Sequence, residues 1–175
     1  GTCAPTPALT QGPYHLRDVP QREDLREGLP GVPLRLLLRV RDRACRPLQG
    51  ARVDLWHTDA LGRYSGVNAP GTFCRGWQAT DERGEVAFLT LFPGWYPSRT
   101  PHLHLRVEAG GRVFATQLFF PEEVQRQVYA LPPYRERGMP RVNNRQDGLF
   151  RADLLLRLER EGEAYRGAFV LTLPG

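Results

Sequence analysis

A chain of 175 residues is long enough to bury one real core and too short to divide readily into two domains. Its net charge of +5 comes from 24 arginines, with no lysine, against 19 acidic residues; the arginines are scattered, with no basic stripe interleaved with aromatics, which argues against nucleic acid as a partner. No apolar run approaches the roughly 20 residues of a membrane-spanning helix, so no membrane partner is expected.

Residues 1–33 are rich in proline and glycine, carry a polar patch from Asp18 to Arg26, and read as an irregular arm lying over a domain formed by residues 34–175. Within the arm, Thr10-Gln11-Gly12-Pro13-Tyr14 has the composition of a turn. Residues 34–41 and 51–57 read as strands joined by the turn chemistry of 43–50. Residues 59–71, full of Gly, Ser, Asn and Pro, read as a surface loop that carries Tyr64. Residues 76–80 and 85–91 flank Asp81-Glu82-Arg83-Gly84 and predict a hairpin, and residues 102–108 and 112–120 around Ala109-Gly110-Gly111 predict a second. Residues 121–130 predict a short helix with Pro121 at its first position and Glu122 and Glu123 in its first turn. An irregular loop fills 131–148, and residues 154–158 and 168–173 are the closing strands. Short strands between frequent turns predict an all-β fold, a single-domain β-sandwich of mostly antiparallel strands with long loops and at most one short helix.

Cys3, Cys45 and Cys74 allow one disulfide and leave one thiol, and none forms the Cys-x-x-Cys pair of a zinc knuckle or thioredoxin-type motif. No signal-peptide pattern opens the chain; export, with such a segment removed ahead of Gly1, is the expected localisation, and the cytoplasm is the alternative.

The chemistry concentrates in Gly94-Trp95-Tyr96-Pro97-Ser98-Arg99-Thr100-Pro101-His102-Leu103-His104, which crowds a phenol, a guanidinium and a pair of imidazoles together. Residues i and i+2 of a strand share a face, so His102 and His104 reach one ion while Leu103, Leu105 and Val107 turn to the core. The imidazoles alone leave zinc, copper or iron open, with ordinary hydrogen-bonded histidines as the bland alternative. Tyr64 and Tyr96 tip the choice. A phenol ionises at neutral pH only beside a strong cation, and hard Fe³⁺ stabilises an anionic oxygen better than a divalent ion does. His57 reads as structural, His15 as solvent-facing and Trp95 as core packing beside Tyr96.

These segments, together with Gly31-Val32-Pro33-Leu34, Val53-Asp54-Leu55-Trp56-His57-Thr58-Asp59-Ala60, Gly62-Arg63-Tyr64-Ser65, Arg75-Gly76-Trp77-Gln78-Ala79-Thr80-Asp81 and Thr116-Gln117, resemble the intradiol ring-cleavage dioxygenases of catechols, in order along most of the chain. The resemblance implies a β-sandwich holding one Fe(III) per chain through Tyr64, Tyr96, His102 and His104, with Tyr96 the tyrosinate that gives way to substrate. It implies that Arg99 stabilises negative charge on the substrate carbon, that Gln117 is an amide beside it, and that Pro13 and Tyr14 line the substrate pocket. The partners so implied are a small aromatic diol and O₂, and the product a cis,cis-muconate-type diacid. The shortness of the chain resembles the exported branch of the family, whereas Thr58 and Cys74 depart from that branch and put any disulfide carried over from it in doubt. Oligomeric state and the choice of catechol stay open. Two rivals stand beside this reading: a cupin-like enzyme holding zinc or Fe²⁺ through His102 and His104 alone, and a metal-free transthyretin- or immunoglobulin-like binding module.

Overall fold

The alternation of Pro33–Arg41 sets the pattern of the fold: Leu34, Leu36, Leu38 and Val40 are buried while Arg35, Leu37 and Arg39 face solvent. The computed structural model describes residues 1 to 175, with strands β1 (Pro33–Arg41), β2 (Arg52–Trp56), β3 (Arg75–Ala79), β4 (Glu85–Leu91), β5 (His102–Ala109), β6 (Arg112–Phe119), β7 (Arg157–Glu161) and β8 (Ala164–Thr172), and the helix α1 (Glu122–Tyr129). They form two four-stranded sheets, ordered β4-β1-β8-β7 and β3-β2-β5-β6. All pairings are antiparallel except β1 with β8. The inner faces meet in one core, where Leu34, Leu36, Leu38, Val86 and Phe88 pack with Val53, Leu55, Leu103, Leu105 and Val107. Each such fully buried side chain contributes about 1.5–3 kcal/mol.

The β5–β6 hairpin forms as expected. Ala109 pairs with Arg112, leaving Gly110 and Gly111 at φ 57° and 77°, the doubly positive pair that a two-residue type I′ turn requires. Residues 76–91 depart from expectation: β3 pairs with β2 and β4 with β1, so the turn between them crosses from one sheet to the other. Its local chemistry, with the Asp81 carboxylate accepting from the Arg83 and Glu85 amides, serves a crossing as well as a hairpin, and only the long-range partners decide between them.

Three smaller departures follow from packing. Leu154 lies in a 3₁₀ turn and the Leu156 amide donates across to the Phe119 carbonyl, so β7 begins only at Arg157. Pro121 is the cap of α1 and Glu122 its first residue. The 59–71 loop is not simply surface, since Asp59, Ala60, Tyr64 and Ser65 are buried.

Residues 1–32 contain no extended ladder and touch both sheets, Gln21 bridging to Trp77 of β3 and Asp24 to Leu89 of β4. A Cys3–Cys45 disulfide ties down their start, the Thr6 and Leu9 amides donate to the Thr172 and Ala115 carbonyls, and Cys74 remains a buried thiol.

Candidate metal centre

The outer face of the β3-β2-β5-β6 sheet carries the site. Directly opposed residues of antiparallel strands share a face, and the register Arg75↔Trp56↔His104↔Gln117 lays these side chains in one row across the sheet. His102 lies one step further along β5, opposite Phe119.

Two loops bring the phenols to this row. In the first, Asp59 Oδ1 accepts from the Leu61 and Arg63 amides at 3.0 and 2.9 Å and the Tyr64 amide donates to Asn68 Oδ1 at 2.7 Å, a pair of local turns that points Tyr64 inward. In the second, the Gly94 amide donates to the Asp59 carbonyl and the Thr58 hydroxyl to the Gly94 carbonyl, so the Tyr96 segment is laced to the Tyr64 loop. A Cβ on Gly94 would collide with the Ala60 carbonyl, which is why glycine stands there. Trp95 anchors the same segment, its indole donating to the Gly138 carbonyl at 2.9 Å with the Arg137 guanidinium 4.0 Å from its ring.

Four donor atoms converge as a result. Tyr64 Oη lies 3.3 Å from both Tyr96 Oη and His102 Nε2, Tyr96 Oη is 3.3 Å from His102 Nε2, and His102 Nε2 is 3.2 Å from His104 Nε2. Ligands about 2.1 Å from a single ion at tetrahedral to octahedral angles stand roughly 3.0–3.4 Å apart, so the spacing fits one metal. The His102 tautomer fits as well: Nδ1–H donates to the Thr100 carbonyl at 2.7 Å, leaving a lone pair on Nε2. His104 has no such partner on Nδ1; its ring lies parallel to Trp56, centroids 5.1 Å apart and planes within 5°.

Burial keeps all four groups neutral when no cation is near. It is the main cause that lowers His102 to about 3, with the Arg99 charge adding to it, and the main cause that lowers His104 well below the usual imidazole range. The same loss of solvent raises the Tyr64 and Tyr96 phenols. No cluster of three or more His, Cys, Asp or Glu side chains suited to a metal exists in the chain; the oxygens that stand beside His102 Nε2 are the phenols of Tyr64 and Tyr96.

Arg99 stands beside the cluster, Nη1 3.5 Å from His102 Nε2. Its Nε donates to Asp147 Oδ2 at 2.8 Å and its Nη2 to Gln117 Oε1 at 2.7 Å, and Gln117 in turn donates to the Thr10 carbonyl at 2.9 Å. The arm closes the other side. Gly12 adopts φ +69°, an ideal Cβ there coming within 3.6 Å of His104 Cε1, and the Tyr14 ring lies 4.9 Å from that of Tyr64, while Pro13 is exposed between them.

The dioxygenase family model matches residues 7–130. The chain is 32% identical to an intradiol ring-cleavage dioxygenase from Tetranychus urticae, covering 98% of this chain and 95% of that one at a TM-score of 0.92. It belongs to the intradiol ring-cleavage dioxygenase family. The dioxygenase domain of a carbohydrate-binding fusion protein from Streptomyces sp. SirexAA-E is 37% identical, with 98% and 99% covered and a TM-score of 0.80. A chlorocatechol 1,2-dioxygenase of Rhodococcus opacus is 28% identical over 144 residues, 66% of this chain and 56% of the relative. The chain spans a little over half the length of curated relatives such as this one.

Several residues that shape the site in this member of the family lie outside the chemical motif of residues 94–104. Asp147 and Asn144 come from the 131–148 loop, where Thr100 donates its amide to Asp147 Oδ2 and its hydroxyl to Asn144 Oδ1. The Asn143-x-x-Gln146 spacing was the available signal, since it forms a reciprocal capping box that folds this stretch. Arg75 and Trp56 carry no local signal and become visible only through the strand register. His15 is not solvent-facing: its side chain is 10% exposed, its Nε2 is 3.1 Å from Asp54 Oδ2, and its ring packs on Trp56. His57 is buried, bonded to the Thr58 carbonyl and the Thr90 hydroxyl.

Proposed function

We propose that Tyr64, Tyr96, His102 and His104 hold one ferric ion and that the protein uses O₂ to cleave a catechol between its two hydroxylated carbons, giving a cis,cis-muconate-type diacid. The observation that carries this reading is the buried convergence of two phenol oxygens and two imidazole nitrogens at 3.2–3.3 Å. A zinc or Fe²⁺ site of the cupin kind would want a carboxylate or a third imidazole, and Asp147 is committed to Arg99. When bound, Fe³⁺ supplies the positive charge that keeps phenols and catechol hydroxyls ionised and the electron-accepting centre that makes the ring reactive toward O₂.

The rest of the chemistry falls to the chain. The Thr100 carbonyl keeps the His102 proton on Nδ1, so Nε2 stays a donor. Tyr96 is the less buried of the two phenols, which supports its oxygen as the one that would accept a proton from an entering substrate hydroxyl. Arg99, held by Asp147 and Gln117, is a fixed cation where negative charge would develop on the ring carbon. Gly12, Pro13 and Tyr14 would wall the substrate. An oxidising compartment belongs to the proposal, supported by the Cys3–Cys45 disulfide.

The test is reconstitution with Fe(III), followed by oxygen uptake on catechol, chlorocatechol, hydroxyquinol and protocatechuate, a panel drawn from the names of the relatives. A burgundy protein, coloured by phenolate-to-iron charge transfer and consuming O₂ with at least one of these diols, is expected. A protein that stays colourless after reconstitution overturns the reading.

A further inference from the structure

At the opposite end of the His104 row from Gln117 lies Arg75, which is 1% exposed. Its hydrogen bonds go only to neutral oxygens: Nε donates to the Ser65 carbonyl and hydroxyl at 3.0 and 3.1 Å, and Nη1 to the Tyr14 carbonyl at 2.6 Å. Nη2 has no partner. A buried guanidinium without a counter-anion is costly, and cations so placed are normally paired.

The surroundings narrow what that anion is. The neighbouring Cys74 thiol is pushed up by burial and stays neutral, and Asp59 is bonded to Arg63. Every bond that the Arg75 guanidinium donates grips a neighbour of Tyr64: Ser65 follows it in the chain, and the Tyr14 ring packs against it.

We propose that Arg75 is a positioning residue for Tyr64, holding the Tyr64 loop against the arm and serving as the buried counter-charge to the phenolate that Tyr64 becomes as a ferric ligand. This rests on the ferric reading above. Arg75 stands at one end of the His104 row, and Arg99, bonded to Gln117, stands at the other.

The experiment compares the wild type with Arg75→Gln, measuring Fe(III) dissociation by chelator competition and the visible charge-transfer band, without turnover. The expected result is an iron dissociation constant raised about 10- to 100-fold, as for other groups that support a metal ligand. The band should move to longer wavelength, because a phenolate that loses its counter-charge holds its electrons less tightly. A wild type that takes up no Fe(III) would sink the ferric reading itself. If the wild type colours and Arg75→Gln matches it in affinity and band, the role of Arg75 is overturned even if the variant melts earlier. If the Gln variant does not fold, Arg75→Lys, a cation without the fork, should weaken iron a few-fold and shift the band less; no change in either would again overturn the proposal.

Discussion

Replacing Asp147 with asparagine removes one charge and leaves the shape of the side chain intact. The Asp147 side chain is 1% exposed; Oδ2 accepts from Arg99 Nε at 2.8 Å and the Thr100 amide at 3.0 Å, and Oδ1 from the Leu149 amide at 2.9 Å. Burial alone would raise this carboxyl, but the bonds from Arg99, Leu149 and Thr100 outweigh it, so the net shift is downward. An asparagine has one acceptor oxygen to offer where two are used, so one of its N–H groups must face another donor. Losing a charge-assisted bond of this kind costs about 2–3 kcal/mol. At about 2–4 °C per kcal/mol for a chain of this size, the melting temperature should fall by roughly 5–10 °C. Because the folded carboxyl lies below its ordinary value of about 3.9, its contribution is present above that pH and is lost as pH falls through the lower folded value. The gap between wild type and Asp147→Asn, followed by circular dichroism, should therefore close in acid. The variant should also lose kcat/KM on the best diol of the panel about tenfold or more, since Arg99 loses its anchor. A melting temperature within about 1 °C of wild type at neutral pH, well short of the fall such a bond predicts, would refute the assignment.

Tyr96→Phe should keep iron but alter the visible spectrum and slow substrate exchange, whereas His104→Ala should lose most of the metal; unchanged spectra and iron content in both would contradict the donor set. His57, lowered by burial to about 4 from an ordinary 6.5, makes the folded state resist protonation. Stability should thus decline by ~3 kcal/mol as pH falls from 6.5 to 4, where the unfolded chain takes up the proton. Urea titrations across that window should show a shallower decline in His57→Gln. Reduction of the Cys3–Cys45 disulfide, which closes a separation of 42 residues, should cost about 4 kcal/mol by the chain-entropy estimate, measurable as a lower urea midpoint in dithiothreitol.

The legible part of the fold was the part written at short range. Leu34 to Val40 and Leu103 to Val107 alternate, and Gly110-Gly111 permits only a tight turn, so those strands and the β5–β6 hairpin could be placed. The turn at residues 81–84 shows the limit: its hydrogen bonds are satisfied locally whether the following strand folds back or crosses to the other sheet. The site divides in the same way. His102 and His104 announce themselves by spacing, Tyr96 and Arg99 by lying in the same short stretch and Tyr64 as the second phenol, whereas Gln117 and the individual roles entered by resemblance to the family. Trp56 and Arg75 belong to the site through strand register, and Asp147 through a loop whose local capping box says nothing of its partner Arg99.

By itself, then, the sequence determined which residues face the core, where the chain must turn, and that a pair of imidazoles shares one side of a strand, because side-chain period and glycine backbone freedom act over a few residues. Only the tertiary structure decided that β2 lies between β3 and β5, that Arg75, Trp56, His104 and Gln117 form one row, and that a carboxylate from residue 147 holds a guanidinium at residue 99. The physical reason is that strand partners and buried charge partners are chosen by what the whole chain can pack and satisfy at once, across separations such as the 48 residues between Arg99 and Asp147.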